Sequence, residues 1–117
     1  MATQTNLSIL EIDSSQQQVH IAGLKEPVRL CDVPLGKEYI QEGRIYQTSK
    51  APSEYGRVPI GRRFRYGDNW FYRSNSSAVA KRLEPNMPFG KPSLKRGRDF
   101  GPSERVDILE ISDRGVA

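Results

Sequence analysis

Glycine and proline recur so densely in this chain that they dictate its fold class. There are ten glycines and eight prolines in 117 residues, and between residues 23 and 68 no stretch free of both exceeds eight residues. Proline cannot donate to a helix ladder and glycine weakens one, so long helices are excluded there. Short strands joined by turns are the alternative. Val19 and Ile21, alternating with His20, read as a strand, and Leu7 to Ile12 is a second β-prone run. Between them Asp13-Ser14-Ser15-Gln16 has turn composition, which predicts a first hairpin near 7–22. Helix is expected only at one place: Ser74-Asn75-Ser76-Ser77 can cap a segment of two turns at most near 76–83, ended by Pro85.

The most specific pattern is an internal repeat. Val33-Pro34-Leu35-Gly36-Lys37 recurs as Val58-Pro59-Ile60-Gly61-Arg62, and more loosely as Met87-Pro88-Phe89-Gly90-Lys91. After the first two copies, Glu38-Tyr39-Ile40-Gln41, Glu42-Gly43 and Arg44-Ile45-Tyr46-Gln47 match Arg63-Phe64-Arg65-Tyr66, Gly67-Asp68-Asn69 and Trp70-Phe71-Tyr72-Arg73. Each copy predicts a hairpin, near 37–49 and 62–74, reached through a Pro-apolar-Gly corner whose apolar residue plugs the core. The expected fold is therefore all-β: a small barrel or sandwich of repeated hairpins over 1–84. An extended arm at 85–102 and a C-terminal strand and tail at 103–117 complete it. A second echo, Ile9-Leu10-Glu11-Ile12 against Ile108-Leu109-Glu110-Ile111, is either a common apolar tetrad arising twice or marks these strands as assembly elements that pair with each other or cross to a neighbouring subunit.

Charge is distributed unevenly. Residues 1–32 carry two bases and four acids, 33–56 three of each, 57–98 eleven bases and two acids, and 99–117 two bases and five acids. A basic middle between acidic ends attracts phosphate or acidic protein surface, or else is simply a solvated face. The candidate partner-binding residues are Arg62, Arg63, Arg65, Arg73, Lys95, Arg96 and Arg98. Their interleaving with Phe64, Tyr66, Trp70, Phe71 and Tyr72 also suits a nucleic-acid-binding β-barrel, the alternative reading. Period-2 alternation, however, sends aromatics inward as core and arginines outward, where only phosphate contacts remain open to them.

Catalysis has little to use. Cys31 and His20 are the only residues of their kinds, which excludes disulfide scaffolds, zinc fingers and Cys–His nucleophile pairs within one chain. No triad or paired-carboxylate spacing stands out, no glycine-rich loop precedes a helix, and no apolar run is long enough to span a membrane. The chain is expected to be a non-enzyme with no cofactor and no metal.

The stretch 57–83 resembles a pattern found in virion structural proteins of tailed bacteriophages. Pro59-Ile60-Gly61 gives its corner, Gly67-Asp68-Asn69 its turn, Phe71-Tyr72-Arg73 its aromatic return strand, and 74–80 its small-residue tail. The resemblance implies a decoration or cement protein of the virion, made in the host cytoplasm, that binds the major capsid protein and copies of itself, a trimer being favoured. A head–tail connector or tail component is the neighbouring expectation.

Overall fold

The structure, a computed structural model, describes residues 17–117. Nine strands follow one another: β1 (Gln18–Ile21), β2 (Val28–Arg29), β3 (Glu38–Gln41), β4 (Arg44–Glu54), β5 (Arg63–Tyr66), β6 (Asn69–Tyr72), β7 (Val79–Glu84), β8 (Lys91–Asp99) and β9 (Arg105–Val116). Two 3-10 turns, Leu30–Asp32 and Tyr55–Arg57, precede β3 and β5. The all-β expectation holds, and among the described residues there is no α-helix. The segment expected to form a short helix near 76–83 is instead mostly β7, which pairs with β6 on one side and β8 on the other. Tertiary pairing has overridden a weak capping signal.

The internal repeat is physical, with an offset of 25 residues throughout. Val33 N–H donates to Leu30 O at 3.1 Å, and Val58 N–H to Tyr55 O at 3.0 Å. Lys37 N–H donates to Pro34 O and Arg62 N–H to Pro59 O, both at 3.2 Å. Gly36 N–H reaches Thr48 O at 3.0 Å, and Gly61 N–H reaches Arg73 O at 2.7 Å. Gly36 and Gly61 sit at φ +87° and +90°, a conformation open to glycine, so each corner is a tight turn. The hairpins that follow have two-residue loops, Glu42-Gly43 and Gly67-Asp68, which removes the extra residue in the sequence alignment: Tyr46 matches Phe71, and Thr48 matches Arg73. The residue plugging the core is also corrected. Val33 and Val58 are buried, whereas Leu35 is half-buried and Ile60 is 61% exposed. The 3-10 turn carries the valine inward and leaves the following apolar residue at the bend.

All strands join one antiparallel sheet in the order β2-β1-β3-β4-β9-β5-β6-β7-β8. Val19 on β1 and Leu83 on β7 share one core although six strand spacings separate them, about 29 Å in a flat sheet. The sheet must curl to bring them together. Its first core holds Val19, Leu30, Val33, Tyr39, Trp70, Leu83, Phe89 and Leu109 among others. A second lies on the opposite face, where Tyr55, Val58, Phe64, Phe71, Ala80, Phe100 and Val106 meet. Consecutive residues Trp70 and Phe71 therefore serve different cores.

The C-terminal third departs from the arm-and-tail expectation. Within 85–102, Phe89 is fully buried in the first core and Phe100 in the second, with β8 paired to β7 between them. Phe100 stacks on Tyr55 at 5.0 Å and meets the rings of Phe64, Tyr66 and Phe71 edge-on at 5.1–5.3 Å. The arm is held at both ends. β9 is interior to the sheet, paired with β4 from Arg44 to Glu54 and with β5 at Phe64 and Arg65. Leu109 lies in the first core with Ile111 packed against it, and Ile108 packs on the second. Residues 108–111 thus pair in cis and fill their own chain's cores. Their predicted counterparts Ile9, Leu10 and Ile12, with the first strand of the 7–22 hairpin, lie outside the described residues.

Candidate interaction edge

The last hairpin carries a strong excess of bases. From Val79 to Asp99, β7 and β8 carry Lys81, Arg82, Lys91, Lys95, Arg96 and Arg98 against Glu84 and Asp99. Residues 57–78 carry an equal surplus, five arginines against Asp68, which the acidic ends of the chain offset, so the hairpin's surplus of four matches the +4 of the full chain. β8 is the last strand of the sheet, so this surplus stands at an edge.

The edge has a local protrusion. Lys81 pairs with Gly97, but Leu83 pairs with Pro92, so two residues of advance on β7 match five on β8 and the segment 93–96 bulges out. Ser93 pins it from inside: its buried Oγ accepts N–H bonds from Lys95 at 3.1 Å and Arg96 at 3.0 Å. Leu94 is left 92% exposed at the tip, with Lys95 and Arg96 exposed beside it. At the foot of the bulge, a Cβ on Gly97 would lie 2.8 Å from Ala80 O, so the close return to β7 requires glycine. Arg96 is 4.0 Å from Glu84 with both side chains more than half exposed, a contact too solvated to neutralise it.

This construction blunts the edge against strand addition. Pro92 has no N–H to offer, and the N–H groups of Lys95 and Arg96 are turned onto Ser93. At the far edge of the sheet β2 has two residues only. What β8 presents is therefore its side chains.

The seven predicted basic residues divide sharply. Lys95 and Arg96 stand on the protrusion, but the guanidinium groups of the other five are engaged by the chain itself. Arg63 is 1% exposed and donates through Nη1 to the carbonyls of Pro88, at 3.2 Å, and Gly90. It faces the first core because both faces of β5 are covered, a circumstance that period-2 alternation alone does not reveal. Arg62 donates to Leu109 O at 2.9 Å, and Arg65 to Gly67 O at 2.9 Å. Arg73 donates through Nη1 to Val58 O at 2.8 Å and Tyr55 O at 2.9 Å. Arg98 lies over the rings of Tyr66 and Phe100, at 4.2 and 4.5 Å, and bonds Glu104 at 3.3 Å, which raises its pKa further. Arginine is well suited to this, since its planar fork satisfies several carbonyls at once. Phe64, Phe71 and Trp70 are buried, so these rings form no stacking platform.

Lys81, Arg82 and Lys91 belong to the basic segment 57–98 but not to the seven predicted residues, and Leu94 carries no charge that marks it in the sequence. A hint was present in the spacing of Pro92 and Gly97, which bracket an apolar residue followed by two bases. Elsewhere, His20 is exposed on β1, and burial, then the neighbouring Asp32 carboxylate, pushes the Cys31 thiol up. Among the described residues no group of three or more His, Cys, Asp or Glu is placed to hold a metal ion, and no helix is long and apolar enough to cross a membrane. No family model, curated protein or solved structure matches this chain.

Proposed function

We propose that this chain is a non-enzymatic assembly protein that docks on an acidic protein surface through the basic β7–β8 edge. The observation that carries the reading is the surplus of four bases on that terminal hairpin, where Lys91, Lys95 and Arg96 are exposed, whereas Arg62, Arg63, Arg65 and Arg73 of the equally basic segment 57–78 are engaged by the chain's own carbonyls. A charged edge whose cations are exposed orients the molecule toward a complementary surface and selects its partner. The resemblance of residues 57–83 to phage virion proteins supplies the setting: decoration or cementing of a capsid, where many weak identical contacts add by avidity. The internal commitment of Arg62, Arg63, Arg65, Arg73 and Arg98 supports a protein partner over nucleic acid, because it removes most of the cations that would track a phosphate backbone.

The test is co-purification. Particles from cells producing this chain should carry it at a fixed stoichiometry by mass spectrometry, and the triple variant Lys91→Glu, Lys95→Glu, Arg96→Glu should be depleted from them. Absence of the wild-type chain from particles overturns the virion setting. Binding to duplex DNA that falls steeply between ~50 and ~200 mM salt would move the edge to the nucleic-acid reading.

A further inference from the structure

We infer that the protrusion at 93–96 is a recognition knuckle whose ligand is an acidic polypeptide segment carrying an aromatic or large aliphatic side chain, with Leu94 as the apolar anchor. The inference rests on the docking role of the β7–β8 edge and names the chemistry that edge selects. Three observations combine in it. The knuckle is built rather than frayed, because the Ser93 hydroxyl collects two main-chain N–H groups and Gly97 closes the return against Ala80. A large apolar side chain stands 92% exposed at its tip, and Val79, 46% exposed, lies beside its foot at Gly97. Lys95 and Arg96 flank that tip, with Lys91 below them on the same strand and no carboxylate between residues 84 and 99.

Each part discriminates. The cations favour carboxylates on the partner and disfavour a second β8 edge, which brings the same charge. An exposed leucine contributes nothing to contact with a phosphate backbone, whereas it gains on being covered by an aromatic or aliphatic side chain. The blunted ladder, with Pro92 and the inward N–H groups, leaves recognition to side chains rather than to an added strand.

Four defined probes separate the outcomes when bound to the full-length chain: poly-glutamate, the copolymer of glutamate and tyrosine at matched length, a short duplex DNA, and vesicles of phosphatidylcholine with phosphatidylglycerol. The copolymer should bind about tenfold more tightly than poly-glutamate, and Leu94→Ser should remove that difference while leaving poly-glutamate binding unchanged. Lys95→Glu with Arg96→Glu should abolish both. Leu94 is almost fully exposed, so its replacement leaves the fold intact, which a circular-dichroism melt checks. Equal affinity for the two polypeptides, or a copolymer affinity indifferent to Leu94→Ser, overturns the knuckle while leaving the charged edge standing. No binding to either polypeptide overturns the docking edge itself. Tighter, Leu94-dependent binding to DNA or to vesicles overturns the assignment of a protein ligand.

Discussion

Arg73 and Tyr55 are joined twice: the guanidinium carbon lies 4.4 Å from the ring centroid of Tyr55, and Nη1 donates to the Tyr55 carbonyl at 2.9 Å. The same guanidinium reaches Val58 O at 2.8 Å and, through Nε, Asn75 O at 3.2 Å. One side chain therefore clamps the 3-10 turn and corner of the second repeat to the end of its own hairpin. In the first repeat the matching position is Thr48, whose Oγ1 accepts from Gly36 N–H at 3.1 Å. The two units solve one problem, the open carbonyls and amides of the corner, with different chemistry.

Arg73→Ala should lower stability by about 2 kcal/mol, since it strips donors from several partly buried carbonyls. Arg73→Lys should recover less than half, because an ammonium cannot span the same acceptors. Urea denaturation of the three proteins checks both statements. An alanine variant as stable as wild type would mean that water replaces the clamp without loss.

Much of this was legible in the residues, and what was not has identifiable causes. Gly36 and Gly61 announced the repeat because only a backbone rule, φ above zero, explains glycine at both corners. The hairpin register was off by one residue because Tyr46 and Tyr72 look alike, whereas strand pairing fixes a two-residue loop in each. The 85–102 segment read as an arm because four prolines and its basic residues outweigh two phenylalanines by composition. Burial reverses the weighting, since Phe89 and Phe100 each enter a core. Arg63 could not be placed inside, because alternation describes a sheet with one wet face and this strand is covered on both.

Glu42 offers a route to a more stable protein. It sits at φ +51° with Gly43 at φ +79°, so both loop residues of the β3–β4 hairpin are left-handed, as a type I′ turn demands. The β5–β6 loop places Gly67, at φ +60°, in the first position instead. A glutamate there is strained where asparagine is at ease, so Glu42→Asn should raise stability by about 1 kcal/mol. Thermal unfolding should show the gain, and a lowered midpoint would contradict it.

Arg63 and Gly90 define a second sensitive point, this one in the turn before β8. Arg63 bonds the carbonyls of Pro88 and Gly90, while a Cβ on Gly90 would collide with Pro85 O. Arg63→Ala should cost about 3 kcal/mol, in the range of buried charged groups whose partners are stranded, and Arg63→Met less, because it keeps the packing. Gly90→Ala should also destabilise. Both changes act on the same turn, so the double variant should lose less than the sum of the two. Chemical denaturation of the four proteins measures that coupling; strict additivity would show that Arg63 does not act through this turn.

Acid should loosen the return from β8 into β9. Glu104 is held below the usual carboxylate range, first by the N–H of Gly101 at 3.0 Å and then by Arg98, and Asp113 by the Arg44 guanidinium at 2.8 Å with help from Gly115 N–H. Both groups are depressed in the folded chain. The stability they contribute is therefore present above their unfolded pKa and is lost as pH falls through the folded value. Glu104→Gln should be less stable than wild type at neutral pH, with the gap closing as pH falls through and below the usual glutamate range, where the wild-type carboxylate takes up its proton. Urea midpoints for the two proteins across that interval follow the closure. A gap that stays constant with pH would show that the charge of Glu104, and its pairing with Arg98, has no part in it.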